Sequence, residues 1–184
     1  QELADAYEYL NRIRRRGHGL DIHTPAPAVD LEQAGKSALL DEIKDERARE
    51  LGFELLRKDP LFIIDGGHNP QCIQALVKNI QDYLADRPLT ILTGVLADKD
   101  YNCMYRNVEP YAKEFITVTP GNPRALNAHD LAQYLSQFGK PVTACDAVAD
   151  GVRLAVEHAG KDGVVLCYGS LYMLGDIKAA VAAL

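Results

Sequence analysis

Cysteine is scarce and scattered. Cys72, Cys103, Cys145 and Cys167 are the whole complement, and no two of them form a Cys-x-x-Cys pair. That argues against a disulfide framework or a zinc site and makes a reducing cytoplasm the default setting. Basic residues are in deficit as well: 20 Lys and Arg stand against 26 Asp and Glu, a net charge of −6. A general nucleic-acid binder carries a basic face, so no nucleic-acid partner is expected. No apolar run approaches the ~20 residues that span a bilayer. No membrane partner is expected either, and an amino terminus rich in Glu, Asp and Arg is no signal peptide. Tryptophan is absent, and internal repeats and low-complexity tracts are not found. No Gly-x-Gly-x-x-Gly follows any strand candidate, which weighs against a flavodoxin-like or dinucleotide-binding protein. What remains is ordinary: 184 residues, 47% hydrophobic and 25% charged, enough to bury a sizeable core in one main domain.

The most informative stretch is Leu61-Phe62-Ile63-Ile64-Asp65-Gly66-Gly67-His68-Asn69-Pro70. Four apolar residues, two of them β-branched, read as a short buried strand. An acid, a Gly-Gly turn and a histidine follow, and then Asn69-Pro70, an N-cap with proline at the first helical position. Ile73, Leu76, Val77, Ile80 and Leu84 then share one helical face. Asp65 and His68 therefore sit where a strand's carboxyl end meets a helix's amino end, the usual ligand edge of an open α/β sheet.

Upstream, residues 1–16 pattern as an amphipathic helix with Leu3, Ala6, Tyr7, Leu10 and Ile13 on one side. Arg12, Arg14, Arg15 and Arg16 suit the negative pole of its dipole and read as a solvated helix end rather than an anion site. Thr24-Pro25-Ala26-Pro27 breaks the chain, and a second helix is expected from near Asp30 to Glu50. Within it, Ala34-Gly35-Lys36-Ser37 has the ending of a phosphate-binding loop. The required glycine at position 30 is Asp30 and no strand precedes it, so the segment reads as plain helix.

Downstream, Phe53-Glu54-Leu55-Leu56 and the strand at 61–64 flank Arg57-Lys58-Asp59-Pro60 as a hairpin, its first strand antiparallel at the sheet edge. Strands at 89–95, 115–119, 141–144 and 163–167 then alternate with helices, the pattern of a parallel sheet. Met104, Val108 and Tyr111 face inward from one helix, and Leu131, Tyr134, Leu135 and Phe138 from the next. The expected fold is α/β: a Rossmann-like, mostly parallel sheet with an antiparallel edge strand, preceded by two amino-terminal helices. Loops 65–70, 97–101, 120–126 and 168–172 then share the carboxyl edge. Their carboxylates, histidine, lysine, arginine and serine suit a charged small molecule.

The same loops carry a resemblance. Asp65-Gly66-Gly67-His68-Asn69-Pro70 resembles the Asp-Gly-Ala-His-Asn-Pro signature of the folylpolyglutamate synthase and dihydrofolate synthase family, a branch of the Mur ligases, with Gly67 in place of alanine. Asp98-Lys99-Asp100 is similar to that family's Asp-Lys-Asp loop, Pro123-Arg124-Ala125 to its Pro-Arg-Ala loop, and Gly169-Ser170-Leu171-Tyr172 to its Gly-Ser-Leu-Tyr. Glu50-Leu51-Gly52-Phe53-Glu54 stands where the family has Pro-Gly-Arg-Phe-Glu, so the arginine that faces the nucleotide phosphates is missing. The match covers residues 53–184, the family's carboxyl-terminal glutamate-ligase domain. Residues 1–52 form an amino-terminal helical segment, whose start resembles the family's opening helix.

The resemblance implies a chemistry. Family members use ATP and magnesium to phosphorylate the carboxyl group of dihydropteroate or a folate, and the amine of L-glutamate attacks the acyl phosphate. It places Asp65 and Asn69 on the ATP side and His68 against the reacting oxygens or the amino acid. Lys99 becomes a movable cation for phosphate or carboxylate, Arg124 a fork onto a carboxylate, and Ser170 part of a glutamate pocket. Each also has a plain role as a cap, a turn or a surface charge. No metal ligand is nominated. The family's central ATPase domain, with its P-loop and magnesium ligands, is not found in this sequence. The chain is therefore expected to be inactive alone and to need a separate ATPase domain or self-association. The rival expectation is a non-catalytic interaction or scaffold module derived from that ligase domain.

Overall fold

The structure, a computed structural model, describes residues 2–17, 20–21, 23–28, 30–32, 39, 53–68, 70–84 and 86–184. The chain divides into two compact units, residues 1–50 and 51–184.

In the first unit, helix α1 (Glu2–Gly17) buries Tyr7 and Leu10 with Leu39, and Leu3, Ala6 and Leu31 pack beside them. The reading of the arginine run as a solvated helix end is corrected at Arg15. Its side chain is 1% exposed, with Nε and Nη2 donating to the two Asp30 carboxylate oxygens at 2.7 and 2.5 Å. Nη1 and Nη2 also donate to Glu8, which accepts from Arg12 as well. A guanidinium this deep persists only where carboxylates meet its donors, and the Arg15 contact holds the Asp30 carboxyl below its ordinary range. Asn11 exchanges two hydrogen bonds with the Leu31 backbone, so the segment after α1 is tied back onto the helix. The second expected helix and the Gly35-Lys36-Ser37 stretch lie outside the described residues, apart from Leu39 and the non-helical residues 30–32.

The second unit is the α/β sheet. Its strands are β1 (Phe53–Arg57), β2 (Leu61–Asp65), β3 (Leu89–Thr93), β4 (Ala112–Thr117), β5 (Val142–Ala144) and β6 (Val164–Tyr168). Their spatial order is β1-β2-β6-β3-β4-β5, with β1 antiparallel at one edge and every other neighbouring pair parallel. The helices are α2 (Pro70–Tyr83), α3 (Tyr101–Val108), α4 (Ala128–Leu135), α5 (Val148–Ala159) and α6 (Leu174–Ala182). Central strands buried on both faces read as continuous apolar runs, which is why β2, β3 and β6 were legible. Phe62, Ile64, Leu92, Ile116, Val165 and Cys167 pack on one face against Val152 and Ala155 of α5 and Ile177 of α6. On the other face Tyr105 of α3 meets Phe115 and Tyr168 edge-on and tilted, and α2 buries Ile73, Leu76 and Ile80.

The inward placement expected of Tyr111 is not what the structure has. The helix after β3 ends at Val108, and a single-turn helix, Glu109–Tyr111, carries the chain into β4. Pro110 offers no N–H to continue the helix, and its ring clashes with the carbonyl one turn back. Tyr111 is consequently only partly buried, its hydroxyl accepting from Gln81, and Tyr105 takes the inward position.

At the amino end of the sheet, opposite the ligand edge, Glu114 of β4 is buried and accepts from Thr90 Oγ1 at 2.9 Å and from His158 Nδ1 at 2.7 Å. Burial pushes its pKa up, but the His158 and Thr90 hydrogen bonds outweigh that and leave it lowered. A lowered acid contributes stability above its unfolded value, here the ordinary 4.5, and loses it as pH falls through the folded value. Glu114→Gln is therefore expected to cost about 1–3 kcal/mol at neutral pH. Urea denaturation across pH should show that cost shrinking below pH 4.5.

Candidate functional site

Parallel strands deliver their loops to one edge, and close backbone contacts bind those loops together. The Gly169 amide donates to the Gly67 carbonyl at 3.0 Å, joining the β6 and β2 loops. Gly169 has φ +119°, and a Cβ there would lie 2.5 Å from the Gly94 oxygen and 2.9 Å from Thr93 Oγ1. Only glycine fits that position. Beyond it, the Ala97 amide donates to the Arg124 carbonyl and the Leu126 amide to Val95, so the β3 and β4 loops are laced in turn.

Asp65 is the last residue of β2 and only 8% exposed. Its Oδ1 accepts from the Gly67 amide at 2.5 Å. Burial pushes its carboxyl up from 3.8 to about 6, and the Gly67 hydrogen bond pulls only weakly against that. Rather than leaving the core toward a ligand, the carboxyl folds back onto its own loop. His68, partly buried, has Nδ1 2.7 Å from the Gly66 oxygen. A peptide carbonyl only accepts, so Nδ1 carries the hydrogen and Nε2 of the neutral ring holds a free lone pair. Asn69 lies outside the described residues.

In the loop after β6, Ser170 is 3% exposed, and its Oγ accepts from the Tyr172 amide at 3.3 Å. It caps the single-turn helix Leu171–Met173 that leads into α6. Leu171 and Tyr172 are each 53% exposed beside it, a pair of apolar side chains at the edge that sequence reasoning did not single out. Leu171 also lies over Gly66, its Cδ2 3.1 Å from where a Cβ would stand.

On β3 and β4, Arg124 already meets a carboxylate, that of Asp98 at 2.7 Å, with both side chains about half exposed. Lys99 is partly exposed and has no ion pair among the described residues, and Asp100 caps α3 by accepting from the Cys103 amide. The strand order therefore sorts the five described candidates. Asp65, His68 and Ser170 stand on the adjacent ends of β2 and β6, while Lys99 and Arg124 follow β3 and β4. Strands lie about 4.8 Å apart, so the ends of β2 and β4 are separated by about 14 Å. Among the described residues, no group of three His, Cys, Asp or Glu side chains could hold a metal ion. The described residues of the edge therefore do not by themselves fit magnesium.

Beneath the edge runs a buried chain that the sequence did not reveal. Thr93 Oγ1 lies 2.8 Å from both the Tyr105 hydroxyl and the Tyr168 carbonyl. Threonine has one hydroxyl hydrogen and the carbonyl can only accept, so Thr93 donates to Tyr168 and Tyr105 donates to Thr93. The link ties α3 to the end of β6, one residue before Gly169. A threonine in an apolar strand carries no sequence signal of such a role, because strands favour threonine anyway.

Two outcomes are expected. Thr93→Val strands the Tyr105 hydroxyl and should cost about 1–3 kcal/mol in urea denaturation, with Thr93→Ser close to the parent. Asp65 behaves oppositely. Raised to about 6, it keeps its proton in the folded chain at pH values where the unfolded chain, at 3.8, has released it. Stability therefore falls as pH rises through that window. Asp65→Asn, which retains an oxygen for the Gly67 amide, should be more stable at pH 7 by about 2–3 kcal/mol. Its advantage should vanish below about pH 4.

Comparison with known proteins gives the sheet a family. The family model described as Mur ligase, glutamate ligase domain, matches residues 53–171. The dihydrofolate synthase/folylpolyglutamate synthase of Haemophilus influenzae is 29% identical over 156 residues, covering 83% of this chain and 36% of the relative. The folylpolyglutamate synthase of Lacticaseibacillus casei is 39% identical over 75 residues, 40% of this chain and 17% of the relative. Among solved structures, Mycobacterium tuberculosis folylpolyglutamate synthase complexed with ADP and AMPPCP superposes with TM-score 0.57 at 28% identity, over 71% of this chain and 30% of that one. The bifunctional synthase of Yersinia pestis with AMPPNP and a manganese ion gives TM-score 0.65 over 85% of this chain and 37% of that one; at 24% identity this speaks for the fold alone. The chain thus spans little more than a third, or less, of the length of these relatives. It belongs to the Mur ligase family, as the carboxyl-terminal glutamate ligase domain of the folylpolyglutamate and dihydrofolate synthase branch.

Proposed function

We propose that this chain is the glutamate-ligase portion of an ATP-dependent enzyme that joins L-glutamate to a folate or dihydropteroate carboxyl group. The observation that carries the reading is the grouping of His68, with its free Nε2, beside Asp65 and Ser170 at the ligand edge. Lys99 and Arg124 supply positive charge one and two strands further on. In the working enzyme ATP supplies the phosphoryl group that turns the substrate carboxyl into an acyl phosphate. The residues of this chain bind and orient. His68 Nε2 is a suitable acceptor for a proton of the glutamate ammonium group, which must leave before the nitrogen has a lone pair with which to attack. Lys99 can reach a glutamate carboxylate without breaking an existing pair. Arg124 can do so by releasing Asp98. Such positioning is what a reaction between two bound partners most needs.

The unit boundary in this reading falls at 52/53, with the ligase domain at 53–184 and the amino-terminal segment before it. Groups that hold the ATP phosphates and magnesium come from a separate ATPase domain or from a second copy. The setting is cytoplasmic. Among the described residues no helix is long and apolar enough to cross a membrane.

NMR titration with L-glutamate should show weak, saturable binding, around millimolar, with shifts at the loops following β2, β6 and β3. A charge-assisted hydrogen bond contributes about 1.5–3 kcal/mol, so His68→Ala and Lys99→Ala should each weaken binding about tenfold or more. The chain alone should not hydrolyse ATP. Shifts confined to residues 1–50, or glutamate-dependent phosphate release by the isolated chain, would overturn the corresponding part of the reading.

A further inference from the structure

Gly67 has no conformational need to be glycine. The described glycines with positive φ are Gly139, Gly160 and Gly169, so residue 67 lies in backbone space open to any amino acid. Its close contacts explain it instead. A Cβ built there falls 2.7 Å from Asp65 Oδ1, while the next atoms, Ile73 Cδ1 and Cys72 Cβ, are at 3.6 and 3.7 Å. Those two are ordinary van der Waals distances. At Gly94 and Gly163 the obstructing atoms are backbone, the Val118 oxygen at 2.5 Å and the Ala159 oxygen at 2.1 Å, and cannot step aside. At Gly67 the obstruction is the far end of one rotatable side chain.

We propose that Gly67 is a positioning residue: its missing side chain gives the Asp65 carboxyl a place to fold inward onto the Gly67 amide, so that a ligand using Asp65 must first break that contact. The inward carboxyl takes up the space that a methyl group at 67 would fill. It is bound by the amide at 2.5 Å and only 8% of the residue is exposed. No charged side chain among the described residues holds it there; burial and the Gly67 hydrogen bond are the influences on it. Alanine at 67 would leave backbone and core undisturbed and would turn the carboxyl out of its recess. Gly67 thus sets how readily the acid is presented at the ligand edge. That consequence rests on the functional reading above, whereas the inward position of the carboxyl does not.

The test is NMR of the whole chain, following the Asp65 carboxyl carbon and the residue-67 amide through pH in the native sequence, Gly67→Ala and Asp65→Asn. In the native chain the Gly67 amide should lie far downfield and move with the Asp65 titration, whose midpoint is near 6. Asp65→Asn should abolish that movement. In Gly67→Ala the amide should lose its downfield position and the midpoint should fall toward 3.8, with the chain still folded. A native Gly67 amide indifferent to Asp65 overturns the proposal, and so does an unchanged midpoint in folded Gly67→Ala. Should Gly67→Ala fail to fold, the proposal is overturned on that count too, since it holds that only the carboxyl stands in the way. Titration with L-glutamate, whose ammonium group an outward Asp65 carboxylate can meet, separates the two readings. Tighter binding by Gly67→Ala supports both, whereas no binding by either chain, with the amide and midpoint behaving as stated, counts against the functional reading alone.

Discussion

The approach of Gly169 to the backbone on either side of it is the contact on which the ligand edge depends. Its amide reaches Gly67 and its α-carbon lies against the Gly94 carbonyl, so the ends of β2, β6 and β3 are drawn together without any side chain between them. Side chains would hold these loops a further few ångströms apart, and Asp65, His68 and Ser170 would no longer share one wall. The hydrogen bonds of Thr93 lie directly below, fixing the Tyr168 carbonyl one residue before the crossing. Backbone contact sets the spacing of the edge, and buried hydroxyls set its height.

The polar groups of that edge are already engaged with one another. Ser170 caps a helical turn, Arg124 meets Asp98, Asp65 holds the Gly67 amide and His68 the Gly66 carbonyl. A binding surface built this way loses little when a ligand is absent, since few groups are left unsatisfied. The same arrangement weakens binding, because a ligand exchanges existing hydrogen bonds rather than filling empty ones. Among the described residues, Lys99 and His68 Nε2 can each gain a partner without giving one up.

Much of this was legible in the sequence, for definable reasons. Apolar runs ended by Gly, Asp or Pro located the strands, and the motif loops after them identified the family. Strand polarity put those loops on a common edge. The placement of β6 between β2 and β3 was not legible, because spatial order is not written in chain order. That placement decides that Ser170 neighbours His68 while Arg124 does not. The inward Asp65 could have been found: alternation from buried Ile63 puts residue 65 on the same buried face. Arg15 was missed because its partner Asp30 is fifteen residues away, beyond the reach of helical periodicity. Tyr105 rather than Tyr111 faces the core because Pro110 ends the helix early.

The central position of β6 has a consequence for how the sheet is made. It is the last of the six strands in chain order, yet it pairs with both β2 and β3. Without β6 the topology leaves two half-sheets, β1-β2 and β3-β4-β5, in which β2 and β3 each lack a hydrogen-bonding neighbour on one side. Only when residues 164–168 take their place can the halves close around them. Long-range parallel pairing of this kind forms slowly. Unpaired strand edges are, in the interval, the surfaces at which chains join the wrong partner. A form lacking β6 would expose both edges at once.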